Sequence, residues 1–318
     1  MITPEFKSKV ISRLTELEKL SGLSSARFAV KIGINQAQWS RLKKGELDSV
    51  LADTKFITLA RENGVEIGTK MEWKTVETAT FQYISTLLTT CQSQQISILL
   101  VDYADLGKSH TAKYYARSNR DAFYVDCSQV KQKQLFIREL ARQVGVNNTG
   151  KYSEVYRDMV FFLNTLENPI IILDEAGDLN YEAFLELKAL WNATEGNVAW
   201  FMMGADGLKS KITRSINCKK VGYTEIFRRY GSNYRNVTPR GREDYIKFTK
   251  EQAALVAKAN APEGTDIQKL LHSCRIEPDR QTDNGKKRDK RDNMIEGYSL
   301  TNLYNIIRVM NQKKQANG

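Results

Sequence analysis

Short apolar runs alternate with segments of helical periodicity through the middle of this chain of 318 residues. The apolar runs are bounded by turn residues, as in buried strands, and the segments between them repeat apolar positions with the period of a helix. This alternation predicts a parallel sheet with helices on both faces. Strands are expected at residues 96–101, 122–127, 169–173, 198–203 and, more weakly, 236–238. Helices are expected at residues 109–118, 133–144, 153–166 and 181–194.

Helical patterns flank this α/β region on both sides. Residues 1–65 predict short helices, residues 66–80 a linker, and residues 241–318 a polar helical region. The α/β core is therefore expected over residues 81–240. Helices in the last region are expected at residues 242–260, 266–274 and 300–314.

Two short helices separated by a glycine-containing turn are predicted near the N-terminus. Ser24 and Ser25 can cap a helix that runs to Lys31, and a second helix begins at Gln36 and ends before Gly45. Two helices joined by a short turn have the helix-turn-helix shape, whose second helix reaches base edges and phosphates. A plain helical bundle is the alternative. The candidate DNA-binding residues are Gln36, Gln38, Arg41 and Lys43.

The charge balance favours a polyanionic partner. The chain has 48 lysines and arginines against 37 acidic residues, a net charge of +11. Such a surplus is most often associated with nucleic acid, although a merely soluble basic surface has the same composition. The run at residues 281–293 is too polar to pack, so it predicts an exposed loop or a nucleic-acid contact.

Several classes of protein are disfavoured by the composition. No apolar run is long enough to cross a membrane, and the first residues lack the apolar core of a secretory signal. The four cysteines are far apart, and the two histidines form no metal-binding spacing with them. We therefore expect a cytosolic protein with reduced thiols and no membrane partner.

A phosphate-binding loop is predicted after the first strand. Gly107, Lys108 and Ser109 form the end of the pattern G-x-x-x-x-G-K-[ST], between an apolar strand and a helix. Backbone N–H groups at the helix start, including that of His110, would face phosphates. Lys108 would reach the β and γ phosphates of ATP, and Ser109 would hold Mg²⁺.

Two carboxylates in this loop depart from the pattern. Asp102 stands where the pattern has its first glycine, and Asp105 lies inside the loop. A carboxylate there repels phosphate unless it points away or is neutralised. The missing glycine also removes conformational freedom from a tight turn. We therefore expect nucleotide binding of reduced strength.

A second motif lies downstream on another predicted strand. The apolar run at residues 170–173 ends in Asp174 and Glu175, which is the Walker B form. Asp174 would help to hold Mg²⁺, and Glu175 would orient and polarise the attacking water. An apolar strand often ends in acids, but both motifs in order on one α/β pattern predict a nucleotide site.

The ordered motifs resemble those of the phage Mu B-like transposition AAA+ ATPases, which are related to the IstB-like and TnsC-like ATPases. The helix-turn-helix pattern occupies the same place, and VETATF resembles the segment before that family's loop. GKS, IILDEAGDL and MMGADGL resemble its Walker A, Walker B and first-sensor regions, and EIFRRY resembles its arginine-finger segment. The resemblance extends over most of the chain.

This resemblance implies an α/β fold: a AAA+ P-loop NTPase core with a parallel sheet, an N-terminal helix-turn-helix domain and a C-terminal helical lid. ATP binding would drive self-association into a helical filament around double-stranded DNA. The filament would mark a target and recruit a transposase, which would stimulate hydrolysis. The expected location is the bacterial cytoplasm, in association with the nucleoid.

The resemblance also implies roles for individual residues. Arg228 is the first candidate for an arginine supplied in trans to the nucleotide of a neighbouring subunit, and Arg229 is the second. Loops after two strands would contact DNA phosphates independently of sequence. Solvated surface side chains are the alternative for all of these residues. The loop candidates are Lys131, Lys133, Lys209, Lys211 and Arg214.

Two further positions depart from the family pattern. Ala205 stands where the family has its first-sensor asparagine, and Asp206 is the nearest polar substitute. The second-sensor arginine would fall at residues 300–302, where there is none, and Arg308 lies further along the same helix. Together with Asp102, these departures predict slow intrinsic hydrolysis.

Three other functions remain open at the level of sequence. One is a helix-turn-helix transcriptional regulator with a nucleotide-sensing body. Another is a helicase-loader-type ATPase, since loaders share this core. The last is a scaffold that has lost nucleotide binding. Footprints at one operator would favour the first of these three, and detectable ATP binding excludes the last.

Overall fold

The computed structural model describes residues 2–65, 73–276 and 296–316. The basic run at residues 281–293 and residues 66–72 of the predicted linker lie outside the described residues. The chain divides into two compact units, which we call the sheet unit and the lid unit. The sheet unit comprises Met1–Thr69, Ser85–Asp102 and Ser109–Asn236. The lid unit comprises Lys70–Ile84, Tyr103–Lys108 and Val237–Gly318.

Four helices form the N-terminal part of the sheet unit. Their apolar faces meet around the fully buried rings of Phe28, Trp39 and Phe56. Helices two and three flank Gly33, whose φ of 69° is the left-handed conformation that glycine adopts at the least cost. The four helices are α1 (Pro4–Ser21), α2 (Ser25–Lys31), α3 (Gln36–Lys43) and α4 (Asp53–Glu62).

A parallel sheet forms the centre of the same unit, as the sequence predicts. Its strands are β1 (Ile98–Val101), β2 (Ala122–Asp126), β3 (Ile170–Asp174) and β4 (Ala199–Gly204), in the spatial order β1-β4-β3-β2. Arg235 adds a fifth position beside β1: its N–H donates to the carbonyl of Leu99, and its carbonyl accepts from the N–H of Val101, both at 2.9 Å. The weak strand expected at residues 236–238 is thus a single parallel bridge slightly earlier in the chain.

Seven helices accompany these strands along the chain. Nearly all residues of β1, β3 and β4 are buried, which explains why these strands are continuous apolar runs rather than alternating ones. The helices are α5 (Ala79–Gln94), α6 (Lys108–Ser118), α7 (Lys133–Val144), α8 (Tyr152–Leu163), α9 (Tyr181–Ala193), α10 (Asp206–Asn217) and α11 (Tyr223–Arg229).

The N-terminal helices are fixed to the sheet through α2. The guanidinium of Arg142 on α7 donates to the carbonyl of Lys31 at 2.9 Å. The guanidinium of Arg27 lies 3.6 Å from the ring centroid of Phe162 on α8. A Cβ at Gly145 would come within 2.7 Å of the Arg27 carbonyl oxygen, so glycine allows this close approach. The N-terminal helices therefore belong to the same compact unit as the sheet.

Three helices and a two-stranded ribbon form most of the lid unit. Asn260 holds the backbone of Lys74: its amide oxygen accepts from the Lys74 N–H at 2.8 Å, and its amide nitrogen donates to the Lys74 carbonyl at 3.1 Å. Part of the predicted linker is therefore bound to a lid helix. The elements are α12 (Arg242–Asn260), α13 (Ile267–Ser273), β5 (Arg275–Ile276), β6 (Gly297–Tyr298) and α14 (Leu300–Ala316).

Candidate functional site

The predicted phosphate-binding loop begins in the lid unit and leads into α6. Gly107 has a φ of 84°, which residues with a side chain rarely adopt. Lys108 is the first residue of α6, and its ammonium donates to the carbonyl of Tyr103 within the loop. Ser109 follows it, and His110 is exposed on the same first turn. A helix start with a lysine and a left-handed glycine has the donors and the backbone form that a phosphate requires.

The two carboxylates that depart from the pattern have different environments. Asp102 is 4% exposed at the end of β1, and its N–H donates to the carbonyl of Gly204 at 3.3 Å. The carboxylate of Asp105 instead accepts hydrogen bonds from Ser299 and Thr301 at the start of α14. The sequence does not tell whether these acids point away from the loop or are neutralised. For Asp105, donors at the start of α14 satisfy the carboxylate.

The Walker B strand ends in one buried and one exposed carboxylate. Asp174 is 2% exposed and accepts from the Tyr124 hydroxyl at 2.7 Å and from the N–H of Glu175 at 3.0 Å. Burial and the Asp174 carboxylate raise the pKa of Tyr124, so its hydroxyl stays protonated and donates. Glu175 is exposed and has a φ of 48°. Non-glycine residues in this conformation cost about 1 kcal/mol or more and concentrate at functional sites.

These residues fit a magnesium ion that is shared with phosphates. Magnesium prefers oxygen ligands and usually has one or two carboxylates together with substrate phosphates and waters. Ser109 and Asp174 supply such oxygens. Within residues 2–65, 73–276 and 296–316, no group of three histidine, cysteine, aspartate or glutamate side chains could hold a metal alone.

The two positions at which the sequence resemblance would place sensor residues have neither the asparagine nor the arginine expected of them. Ala205 is the N-cap of α10 directly after β4 and makes no side-chain capping bond, and Asp206 is exposed in the first turn. Residues 300–302, where the resemblance would place a second-sensor arginine, lie at the start of α14, and Arg308 is exposed farther along that helix.

The two arginines proposed for action in trans differ in their surroundings. Arg228 is exposed near the end of α11. Arg229 is partly buried, and its guanidinium carbon lies 4.5 Å from the centroid of Trp191 on α9. Packing on its own subunit makes Arg229 the weaker candidate, so Arg228 is the residue that can reach another molecule.

A segment of the chain that contains the parallel sheet matches a known family. Residues 92–212 match the family described as the AAA domain. The matched range includes all four strands and both motifs. The fold is that of a AAA+ P-loop core. The match supports an ATPase activity for this part of the chain.

A solved structure is similar to about two thirds of this chain. It is the Orc1 protein of Aeropyrum pernix, solved in complex with DNA, with 17% sequence identity and a TM-score of 0.46. The match covers 64% of this chain and 55% of that one, so this chain spans about half of that protein's length. No curated protein matches the chain at a significant level.

The lysines predicted to contact DNA from the loops have distinct partners. Lys131 pairs with Asp178 at 2.8 Å, and Lys133 pairs with Glu186 at 2.5 Å. The ammonium of Lys211 donates to the carbonyl of Gly177 at 2.7 Å and to that of Leu179, and burial lowers its pKa. Lys211 is thus engaged internally. Lys209 and Arg214 are exposed on α10 and line an open pocket, and the ammonium of Lys209 lies 5.5 Å from the ring centroid of Tyr234.

The candidates on α3 are also divided between internal and exposed roles. Gln38 completes a capping box with Asn35 and donates to the Val50 carbonyl at 3.3 Å. Lys43 pairs with Glu18 at 3.0 Å, and exposed Arg41 pairs with Glu46 at 2.7 Å. Gln36 is exposed at the helix start.

Among the described residues, no helix is both long and apolar enough to span a membrane.

Proposed function

We propose that this chain is an ATPase that binds duplex DNA largely without regard to sequence, assembles on it as filaments, and delivers target DNA to a transposase. The observation that carries the proposal is the combination of the Gly107-Lys108-Ser109 loop with a buried strand ending in Asp174-Glu175. The strand before the loop and the strand that ends in Asp174 belong to one parallel sheet, and the residues that match the AAA domain include both motifs.

The roles of the site residues follow from their chemistry. Lys108 and the N–H groups at the start of α6 would bind the phosphates of ATP. Ser109 and Asp174 would hold Mg²⁺, which supplies positive charge against the phosphates. Glu175 would orient a water for in-line attack. The absence of an asparagine at position 205 and of an arginine at residues 300–302 supports slow hydrolysis that needs a partner.

Self-association is supported by the exposed arginine on α11. In this class of ATPase, an arginine from a neighbouring subunit stabilises the charge on the transferring phosphoryl group. Arg228 is exposed and Arg229 packs on Trp191. We propose Arg228 for this role, which makes hydrolysis dependent on assembly.

DNA binding is supported by the net charge of +11 and by one face of α10. Lys209 and Arg214 are exposed on that face, together with polar Ser210, Thr213 and Asn217. Cations and hydroxyls of this kind suit phosphate oxygens and read no base sequence. The ion pair of Lys131 with Asp178 is exposed, and Lys131 can exchange it for phosphate because such surface pairs contribute little stability. Lys133 would have to leave Glu186, whose side chain is mostly buried.

Electron microscopy of the full chain mixed with duplex DNA tests the proposal. Wild type should form filaments with ATP and few without it, and Lys108→Ala should form few in either condition. The pair Lys209→Glu/Arg214→Glu should weaken DNA binding on every sequence and reduce its salt dependence. Lys250→Glu/Lys258→Glu reverses two exposed charges on α12 and serves as the matched control. The absence of filaments under all conditions would contradict the assembly.

A sequence-specific regulator is the second candidate, and the exposed Gln36 at the start of α3 favours it. Glutamine side chains can read adenine in the major groove. Footprinting on genomic fragments separates the two functions. Protection of one operator without ATP would support the regulator, whereas continuous ATP-dependent protection of arbitrary DNA would support the transposition ATPase.

A further inference from the structure

The phosphate-binding loop is joined to the lid helix α14 by a carboxylate. The side chain of Asp105 accepts hydrogen bonds from the Ser299 hydroxyl at 2.6 Å, the Thr301 N–H at 2.9 Å and the Thr301 hydroxyl at 2.6 Å. These residues are 194 and 196 positions from Asp105 in the chain. We call this arrangement the loop–lid contact. All three residues belong to the lid unit.

The surrounding contacts hold both partners in place. The N–H of Ser299 donates to the Cys274 carbonyl at 2.9 Å, which fixes the start of α14 beside the β5–β6 ribbon. On the loop side, the ring of Tyr103 meets that of Tyr245 on α12 edge to face, with centroids 5.2 Å apart. Leu300 Cδ1 lies 3.8 Å from where a Cβ of Gly107 would be. The start of α14 therefore packs beside the glycine of the loop.

Capping of α14 does not by itself explain the hydrogen bonds of Asp105. Ser299 already caps this helix, because its hydroxyl accepts from the N–H of Asn302 at 3.0 Å. Asp105 itself has a φ of 63°, an uncommon conformation that aspartate tolerates better than most residues. A residue held in a sparsely populated conformation by partners from a distant segment indicates a constraint on the loop itself.

The electrostatic consequence concerns the phosphates. Asp105 lies two residues before Gly107, and an anionic side chain so close to bound phosphate opposes binding. Three donors and the positive end of the α14 dipole stabilise the negative charge of the carboxylate while it is bonded to α14. Without those donors the carboxylate would be released into the loop.

We propose that the loop–lid contact sets the affinity of this chain for ATP by keeping the Asp105 carboxylate bonded to α14 instead of facing phosphate. The inference rests on the proposed nucleotide binding and adds its regulation. When α14 leaves the loop, the released acid lowers the affinity and promotes nucleotide release. By linkage, bound nucleotide stabilises the contact to the same extent. The lid helix α14 thus controls nucleotide affinity through Asp105 of the loop. It contacts the loop at residues 299–301, and residues 300–302 contain no arginine that could bind phosphate directly.

A set of four variants tests this proposal with a fluorescent ATP analogue and the full chain. Thr301→Val keeps the side-chain shape and the backbone N–H but removes one donor, and Ser299→Ala/Thr301→Val removes both hydroxyls. Two lost hydroxyl bonds should weaken ATP binding by about tenfold. Asp105→Asn, which tolerates the same backbone conformation, should bind at least as tightly as wild type. The triple variant Asp105→Asn/Ser299→Ala/Thr301→Val should restore binding to near the wild-type value.

The rescue by Asp105→Asn separates a released charge from damage to the lid. Asp266→Asn is the matched control, since Asp266 caps α13 through the N–H groups of Gln268 and Lys269 and lies in the same unit. It should leave the affinity unchanged. Hydrogen exchange of the Thr301 amide without nucleotide gives a second readout, and Asp105→Asn should accelerate it.

The outcomes distinguish the two proposals. If wild type binds ATP but the Ser299→Ala/Thr301→Val variant binds equally well, the loop–lid inference is wrong and the proposed function stands. If that variant is weakened and the triple variant remains equally weak, the inference is also wrong, because the loss is not due to charge. If wild type binds no ATP, the proposed function fails first, and the inference fails with it.

Discussion

The hydroxyl of Tyr124 donates a 2.7 Å hydrogen bond to Oδ2 of Asp174, the carboxylate that ends the Walker B strand. The two residues lie on adjacent parallel strands, where Asp126 pairs in register with Asp174 and Tyr124 with Ile172. The N–H of Glu175 donates to the other oxygen, Oδ1. Both oxygens of the proposed magnesium ligand are therefore oriented by the protein before any ion binds.

Removing this hydroxyl should weaken magnesium binding. Residues that orient a metal ligand typically change metal affinity or activity by about 10- to 100-fold when they are mutated. For Tyr124→Phe we expect a higher magnesium concentration at half-maximal ATP binding, with little change in magnesium-free binding. A titration of ATP binding against magnesium measures both quantities.

Tyr115→Phe is the control for this experiment, because Tyr115 donates to Gln92 at 2.8 Å elsewhere in the sheet unit. An unchanged magnesium midpoint in Tyr124→Phe, matching that of Tyr115→Phe, would show that the hydrogen bond does not position Asp174.

The two arginines of α11 should behave differently when replaced by alanine. Arg228→Ala should retain ATP binding and lose most DNA-stimulated hydrolysis, since an arginine supplied in trans contributes about 10³-fold or more to turnover. Arg229→Ala should lower the melting temperature, because it removes a cation that is stacked on Trp191. Steady-state hydrolysis and thermal unfolding, measured on both variants, separate the roles. Full stimulated activity in Arg228→Ala would remove it from the mechanism.

Lys31 should make the stability depend on pH. Burial and the nearby Arg142 guanidinium lower the pKa of Lys31 from 10.5 to about 8. Between pH 8 and 10.5 the unfolded chain binds a proton at Lys31 that the folded chain does not. The contribution of Lys31 to the free energy of unfolding therefore rises with pH over this range, and it is most destabilising below pH 8. Lys31→Met should therefore be more stable than wild type at pH 7, by at most about 3 kcal/mol.

The advantage of Lys31→Met should shrink as the pH approaches 10. Urea unfolding of both proteins at several pH values measures the difference in stability. Burial raises the pKa values of several cysteines and tyrosines in the folded state, and their contributions are the same in both proteins and cancel in the difference. Lys44→Met, an exposed change on the same set of helices, is the control. A constant difference between wild type and Lys31→Met would contradict the lowered pKa.

Much of the fold could be predicted because its signals are local. The runs that became β1 and β3 are continuous and apolar since both faces are covered, and α7 and α12 have the bounds that their periodicity predicts. The sequence pattern does not set the bounds of other helices, such as α1 and α10, although both are amphipathic. The Walker residues could be named because each motif is a short local pattern that ends or follows an apolar strand.

The remaining features depend on contacts between distant segments. Nothing near Asp105 in the sequence indicates that Ser299 and Thr301 bind it, and nothing near Asp174 indicates Tyr124. Lys211 and Gln38 illustrate the opposite case, since each has the chemistry of a DNA contact but is used for internal hydrogen bonds. Side-chain type predicts what a residue can do, while the fold decides whether its polar atoms are available.

The central claim is that this chain binds ATP through the loop at Lys108. Equilibrium titration of wild type and Lys108→Ala with a fluorescent ATP analogue in magnesium tests it most directly, with a melting curve to show that both proteins are folded. We predict saturable, magnesium-dependent binding by wild type and its loss in Lys108→Ala. Absence of binding by both folded proteins, or equal binding by both, would contradict the account.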